Sequence, residues 1–353
     1  MRSRLAAAVG VLAAMLVAAT PAAGHGRGLD LQFHGQAIVP SGTTFAGTTV
    51  GGLSSITYDA KRDVYYAISD DQSQINPARF YTVGLDVGDG ALTNADVHFK
   101  AFTTLLAPNG NPYPTAGLDP EGLVLTKHRS LIYTSEGIPA TGIDPFIRFA
   151  GLDGRFLGSL DVPEDFLVAD TPTSGVRPNL GFESAGVTHN GRYFFTATEN
   201  ALFQDGPAAT TGNGSPSRLL RYDLHKGRLD QFVYVTDPVA EPPVPPTNFS
   251  VNGIVEILPL DDDTLITMER SFSVGAPDTG NTIKLYTVEL NRHGPARKTP
   301  LLNLDVLGIP LDNVEGITFG PRLRHGRRAL VLVSDNNFAA TQFTQFLLFS
   351  VKD

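Results

Sequence analysis

The stretch that decides the fold is EGLVLTKHRSLIYTSEG, residues 121–137. It holds an acid followed by glycine, a short apolar run, a polar turn, a second apolar run and a second acid. Apolar runs of this length, separated by turn residues, predict two β-strands joined as a hairpin. Carboxylates at the ends of a buried hairpin are costly to desolvate, so they require a partner.

The same scheme returns in four other parts of the chain. These segments are SSITYDAKRDVYYAISDD (residues 54–71), AGVTHNGRYFFTATEN (185–200), NGIVEILPLDDDTLITMER (252–270) and EGITFGPRLRHGRRALVLVSDN (315–336). They recur roughly every 65 residues, and a fixed period of this kind is typical of repeat architectures. The chain is therefore built from five similar units, each beginning with two strands.

The remaining strands predict how the units are assembled. The first four units continue with a third and a fourth apolar run, whereas the fifth stops after its third. The missing strand is available at LDLQFHGQAIV, residues 29–39. A ring closed by pairing the two chain ends has no open sheet edge. We therefore predict an all-β fold, a β-propeller of five four-stranded blades, with six blades possible if a long loop hides a further unit.

The N-terminus predicts export. Arg2 and Arg4 precede an unbroken apolar run, residues 5–19, which is followed by small residues. This order is typical of a secretory signal peptide, and the run is short for a membrane span. We predict a signal peptide at residues 1–24 and a single propeller domain at residues 25–353. After cleavage we expect a secreted protein that does not insert into membranes.

The composition narrows the function. The 353 residues carry a formal net charge of −9 and no cysteine, which argues against nucleic-acid binding and excludes disulfides and thiolate metal sites. An acidic chain of this kind can bind metal cations instead. We expect a monomer whose partner is a small phosphorylated or ester substrate.

The predicted topology gathers acids at one mouth of the central channel. The entry into each first strand and the exit from each second strand lie on the same face of a propeller. Eight carboxylates occupy those places and are the predicted metal ligands: Asp70, Glu121, Glu136, Glu183, Glu199, Glu269, Glu315 and Asp335. Clustered like charges require protons or cations between them, and oxygen ligands suit Ca²⁺ first, then Mg²⁺ or Mn²⁺.

Several of these segments resemble a known family. The motifs DPEGL, ESAGV, TATEN and NVEGITF, with TSEG and SDNNF, are similar to those of the phytase-like proteins described by an esterase-like activity of phytase. The resemblance covers essentially the whole chain after the leader. It implies a secreted propeller with recurrent acids, and phosphoester hydrolysis as its activity. Ser54 and Asn252 stand at places where other units are acidic.

The leading hypothesis is therefore a metal-dependent phosphoesterase, a hydrolase acting on ester bonds. Arg270, Arg148 or Arg218 would neutralise charge on the phosphoryl group, and Glu121 and Glu315 belong with these arginines to the predicted catalytic residues. The cations that bind phosphate oxygens and activate a water would be held by six glutamates: Glu121, Glu136, Glu183, Glu199, Glu269 and Glu315. Two alternatives stay open from the sequence. One is a calcium-dependent lactonase or ester hydrolase, and the other is a non-catalytic binding or scaffold propeller.

Overall fold

The computed structural model describes residues 28–352, so the predicted signal peptide lies outside the described residues. Residues 28–352 form 22 β-strands and four short 3-10 helices. Those helices span Asn94–Asp96, Pro139–Thr141, Glu164–Phe166 and Leu304–Leu307. Within this part of the chain, no helix is long and apolar enough to cross a membrane.

The strands form five four-stranded antiparallel sheets in a ring, which confirms the five-bladed propeller. The first three strands are β1 (Asp30–Pro40) and the small hairpin β2 (Thr44–Phe45) and β3 (Thr48–Thr49). Blade one holds β4 (Leu53–Asp59), β5 (Val64–Ser69), β6 (Arg79–Leu85) and β7 (Val97–Thr104). Blade two holds β8 (Pro120–Leu125), β9 (Ser130–Ser135), β10 (Phe146–Gly151) and β11 (Phe156–Leu160).

The other three blades follow in chain order. Blade three holds β12 (Gly186–Val187), β13 (Tyr193–Ala197), β14 (Pro216–Asp223) and β15 (Arg228–Val235). Blade four holds β16 (Ser250–Pro259), β17 (Thr264–Ser273), β18 (Asn281–Glu289) and β19 (Arg297–Asn303). Blade five holds β20 (Asn313–Arg322), β21 (Arg328–Asp335) and β22 (Phe343–Lys352), and it is completed by β1.

The chain ends close the ring as predicted. β1 pairs antiparallel with β22, so that Leu31 lies opposite Val351 and Ala37 opposite Phe346. The pairing shifts by one residue near Gly35, whose φ of 130° and close approach to the Leu92 backbone leave no room for a Cβ. The N-terminal strand therefore occupies the outer edge of the last blade.

The core lies between neighbouring blades. One cluster of buried side chains, for example, packs Ile56 and Tyr65 of blade one against Val331 and Phe346 of blade five. Four further clusters join the other neighbouring pairs. Strands covered on both sides are buried along their length, as β5 is, whereas the outer strand β7 alternates between exposed and half-buried residues.

Candidate functional site

Five structurally equivalent residues, each in or shortly after the second strand of its blade, lie at the channel mouth. Each lies opposite a residue two places before a bulge in the neighbouring first-strand segment, as Glu136 lies opposite Asp119 and Arg270 opposite Gly253. The five exit positions are Asp70, Glu136, Glu199, Arg270 and Asp335. Four blades therefore place an acid at this position, and blade four places an arginine.

A one-residue bulge follows in each first strand. The pairing register shifts between Pro120 and Leu123 in blade two and between Val314 and Gly316 in blade five, and the other blades shift at the same place. A bulge inserts an extra residue and redirects its side chain. The five bulge positions hold Ser54, Glu121, Glu183, Val255 and Glu315. Blade four is again the blade that has an apolar residue where three others have glutamate.

The structure brings seven of the eight predicted carboxylates together at this mouth. They are Asp70, Glu121, Glu136, Glu183, Glu199, Glu315 and Asp335, and their charges act on one another. All but Glu136 line a cavity of about 930 Å³ that opens at the mouth. The predicted concentration of acids at one end of the channel is therefore present for these seven residues.

Two groups of three carboxylates are close enough to share an ion. Asp119, Glu121 and Glu136 form one group, and Glu136, Glu183 and Glu199 form the other, with ligand oxygens within 4.8 Å of one another in each. All five residues are buried. Among the described residues, no lysine or arginine forms an ion pair with Asp119, Glu121, Glu136 or Glu183. These buried acidic clusters could hold a metal ion.

The burial of these acids opposes their ionisation. Burial raises the pKa of Glu136 to about 8, although a hydrogen bond with Glu183 acts to lower it. Burial, followed by the charges of neighbouring carboxylates, holds the pKa values of Glu121 and Glu183 well above their usual range. Burial raises the pKa of Asp119 to about 6. Without a cation, several of these carboxyls retain a proton near neutral pH.

Arg270 compensates the opposite side of the mouth. Its Nη2 lies 2.9 Å from Glu315 Oε1 and 3.5 Å from Glu199 Oε1. Asn313 Nδ2 donates a second hydrogen bond to the same oxygen of Glu315, at 2.9 Å. Burial raises the pKa of Glu199 to about 7, although Arg270 acts to lower it. Two buried atoms, Glu199 Oε1 and Arg270 Nε, have no hydrogen-bond partner among the described residues.

Glu269 lies outside the carboxylate cluster. It comes one residue before the exit position of β17, and adjacent side chains of a strand point to opposite faces. Its carboxylate accepts hydrogen bonds from Tyr234 Oη at 2.7 Å, the Asp237 amide at 2.8 Å and Lys298 Nζ at 2.6 Å. Glu269 therefore belongs to a separate polar network within blades three and four.

Arg148 and Arg218 are also held away from the carboxylates. The Arg148 guanidinium lies 3.7 Å from the ring centre of Phe146 and donates to Tyr113 Oη at 2.6 Å. Arg218 pairs with Asp205 at 2.6 Å. Both belong to third strands, two places outward from the channel, so the structure brings only Arg270 of the three predicted arginines to the cluster.

Buried acids that were not among the predicted site residues include Asp119 and Glu256. Asp119 directly precedes β8, two residues before Glu121, and its position within DPEG was the available signal. Glu256 stands alone in an apolar run; it accepts hydrogen bonds from Ser55 Oγ and from the Ala185 amide. Burial raises the pKa of Glu256 to about 8. This carboxyl links blades one, three and four across the channel.

Comparisons with known proteins identify one family. The family model Phytase-like, described as "Esterase-like activity of phytase", matches residues 48–338. No curated protein matches the chain. An endo-arabinase from Bacteroides thetaiotaomicron shares 14% identity at a TM-score of 0.46, with 91% of this chain and 98% of that one covered.

Two further solved structures are similar at the same low level. An exo-1,5-alpha-L-arabinanase from a bovine ruminal metagenomic library shares 9% identity at a TM-score of 0.44, with 87% of this chain and 95% of that one covered. A periplasmic gluconolactonase from Pseudomonas aeruginosa shares 12% identity at a TM-score of 0.38, with 86% of each chain covered. Similarity of this kind says nothing about the activity of this chain.

Proposed function

The chain belongs to the phytase-like family, and from that premise we propose that it is a secreted, metal-dependent phosphoesterase. The family description carries an esterase-like activity, which supports a hydrolase-type propeller. The observation that carries the proposal is a group of four buried acids that form no ion pair with a lysine or arginine in the described part of the chain: Asp119, Glu121, Glu136 and Glu183. The predicted leader supports secretion.

The donor set fits a hard cation. Every ligand atom in the two groups is a carboxylate oxygen, and Ca²⁺ takes several such oxygens in a flexible geometry. The side chain of Glu199 is only 1% exposed, and its Oε1 lacks a hydrogen-bond partner among the described residues. A buried carboxylate oxygen of this kind is costly unless something binds it. Ca²⁺ is the preferred ion, with Mg²⁺ and Mn²⁺ as the other candidates.

Each side of the mouth has its own task in this proposal. Asp119, Glu121, Glu136 and Glu183 would hold the ion or ions, which would supply a Lewis acid for the phosphate oxygens and lower the pKa of a bound water. Arg270 is placed by Glu199 and Glu315 and lines the cavity, so its guanidinium would meet a phosphoryl oxygen there. Glu315 thus acts through Arg270, whereas Glu121 contacts the ion.

The partner we propose is a small phosphorylated substrate that reaches the mouth from solution. The net charge of −9 disfavours nucleic acid, and a single propeller with its edges closed can act as a monomer. A substrate with a negative charge approaches an acidic mouth only when cations have neutralised it. Ion binding is therefore required for substrate binding as well as for the reaction.

The test is hydrolysis of p-nitrophenyl phosphate by the purified protein, first treated with a chelator and then loaded with Ca²⁺, Mg²⁺ or Mn²⁺. We expect activity only with an ion, and we expect Glu136→Gln to abolish it because Glu136 belongs to both groups. Glu269→Gln is the matched control, since it changes a buried acid outside the cluster. Hydrolysis of lactones or carboxyl esters instead, or no hydrolysis by the ion-loaded protein, would contradict the proposal.

A further inference from the structure

Blade four extends beyond the other blades at the mouth. β16 and β17 continue past the exit position, with Val251 opposite Phe272 and Ser250 opposite Ser273. In blade five the corresponding pairing ends at Asn313 and Asp335, the exit position itself. The longer strands of blade four raise a short wall above the mouth.

This wall is apolar. Phe272 and the exposed Phe249 form an aromatic pair with ring centres 6.3 Å apart, and 61% of Phe249 is accessible to solvent. With Val251, both rings line the same cavity as Glu199 and Glu315. An aromatic ring exposed at the rim of a cavity offers an apolar surface that a ligand can cover.

The wall stands directly above the arginine of the mouth. Phe272 follows Arg270 by two residues in β17, and side chains two apart in a strand point to the same face. The arginine at the base and the rings above it thus form one continuous surface. An ester whose phosphate met Arg270 and the ions would place its organic part against Phe272 and Phe249.

The charges that line the cavity limit the substrate to few phosphates. Among the described residues that line it, Arg270 is the one lysine or arginine, and it is already paired with Glu199 and Glu315. A ligand carrying many phosphates would find carboxylates in most other directions. One phosphate can be matched by the ions and Arg270, but six cannot be matched without many additional ions.

We propose that the wall formed by Val251, Phe249 and Phe272 binds the organic part of the substrate, so that the preferred substrates are monophosphate esters with an apolar, in particular an aryl, group. This inference rests on the proposed phosphoesterase function and adds its specificity. Highly phosphorylated polyols are disfavoured, because they lack an apolar part and carry excess negative charge.

The test compares phenylphosphonate with methylphosphonate, which differ in the apolar group and cannot be hydrolysed. Calorimetry with the Ca²⁺-loaded protein should give a Kd about tenfold lower for phenylphosphonate, since covering part of one ring is worth roughly this factor. The double variant Phe249→Ala, Phe272→Ala should reduce this preference to less than threefold. The Kd of methylphosphonate, which is too short to reach the rings, should change less than twofold.

Val306→Ala is the matched control, because Val306 is 72% exposed and does not line the cavity. It should leave the tenfold preference unchanged. The proposed binding role of the wall would be wrong if the two phosphonates bound with equal affinity, or if the preference persisted in the double variant. Binding is measured without turnover, so the two proposals can fail separately. A phenyl preference in a protein that hydrolyses no phosphoester would support the binding role of the wall and contradict the phosphoesterase function. Hydrolysis of phosphoesters without a phenyl preference would support the phosphoesterase function and contradict the binding role of the wall.

Discussion

Blades two and three meet at the mouth with carboxylates alone, whereas blade four brings Arg270 and Val255 to the same backbone positions. The backbone is repeated, yet the chemistry of the two sides differs. On one side, Asp119, Glu121 and Glu136 form no ion pair with a lysine or arginine of the described residues, and on the other side Glu315, with Glu199 of blade three, pairs with Arg270. The difference indicates where an added cation is needed and where an anionic group can be received.

The largest expected effect comes from removing the arginine of blade four. Arg270→Gln leaves Glu199 and Glu315 buried without their shared cation, and breaking a buried pair in this way costs about 3–5 kcal/mol. Urea denaturation in the presence of a chelator measures the free energy of unfolding. Arg218→Gln is the control: its pair with Asp205 is partly exposed and contributes about 1 kcal/mol or less. Equal losses of unfolding free energy in Arg270→Gln and Arg218→Gln would contradict a special role for Arg270 at the mouth.

Calcium and pH should act on the carboxylate side. The pKa of Glu136 is about 8 in the folded protein, whereas the ordinary value of 4.5 applies in the unfolded chain. Between pH 4.5 and pH 8 the folded state therefore binds more protons than the unfolded state. The unfolding free energy of the metal-free protein should therefore fall as pH rises from about 4.5 to 8. Calcium at a hundred times its Kd should add about 2.7 kcal/mol at pH 8 and much less at pH 5, where protons compete for the carboxylates.

Thermal melts at pH 5 and pH 8, with Ca²⁺ and with a chelator, measure this crossover. A stabilisation by Ca²⁺ that is larger at pH 5 than at pH 8, or absent at both, would contradict an ion among these acids. The same melts with Arg270→Gln sharpen the comparison, since that variant should depend on Ca²⁺ more strongly than the unchanged protein.

Glu121 and Glu315 occupy the same bulge position on opposite sides, so equal substitutions should have unequal effects. Glu121→Gln should weaken Ca²⁺ binding about tenfold or more, with little loss of stability in the metal-free protein. Glu315→Gln removes the hydrogen-bonded partner of Arg270 and should cost about 1–3 kcal/mol, with a smaller effect on Ca²⁺ binding. Calorimetry measures the Kd for Ca²⁺ of both variants, and urea denaturation measures their free energies of unfolding. Equal changes of both quantities in the two variants would contradict separate roles for Glu121 and Glu315.

The smallest expected effect on ion binding belongs to Glu269→Gln. Its carboxylate bonds Lys298 and Tyr234, away from the cluster, so the Kd for Ca²⁺ should stay within about twofold, even if stability declines. Asp70→Asn, a change at a true exit position, is the comparison variant and should weaken Ca²⁺ binding more. A stronger effect at Glu269 would place it at the ion.

The site was predictable wherever the repeat is regular. The acids at the ends of the second-strand segments of blades one, two, three and five lie at the mouth, as Asp70 and Asp335 illustrate. In blade four the acid Glu269 precedes Arg270, and choosing between these neighbours required the register of the pairing. The register of blade four is set by Gly253 opposite Arg270, a contact that local sequence does not reveal.

Sequence patterns predicted five blades, with a sixth left open, and also the order of the strands, the closure by residues 29–39 and the face on which the acids gather. These features follow from the period of the repeat and from the alternation of apolar residues, both of which are local patterns. The tertiary structure alone decided which side chains meet. A one-residue bulge or offset moves a side chain from one face of the sheet to the other. The partner strand and the neighbouring blade fix where that bulge or offset lies. For that reason Arg270 stands among the carboxylates, Glu269 outside them, and Glu256 crosses the channel to Ser55 and Ala185.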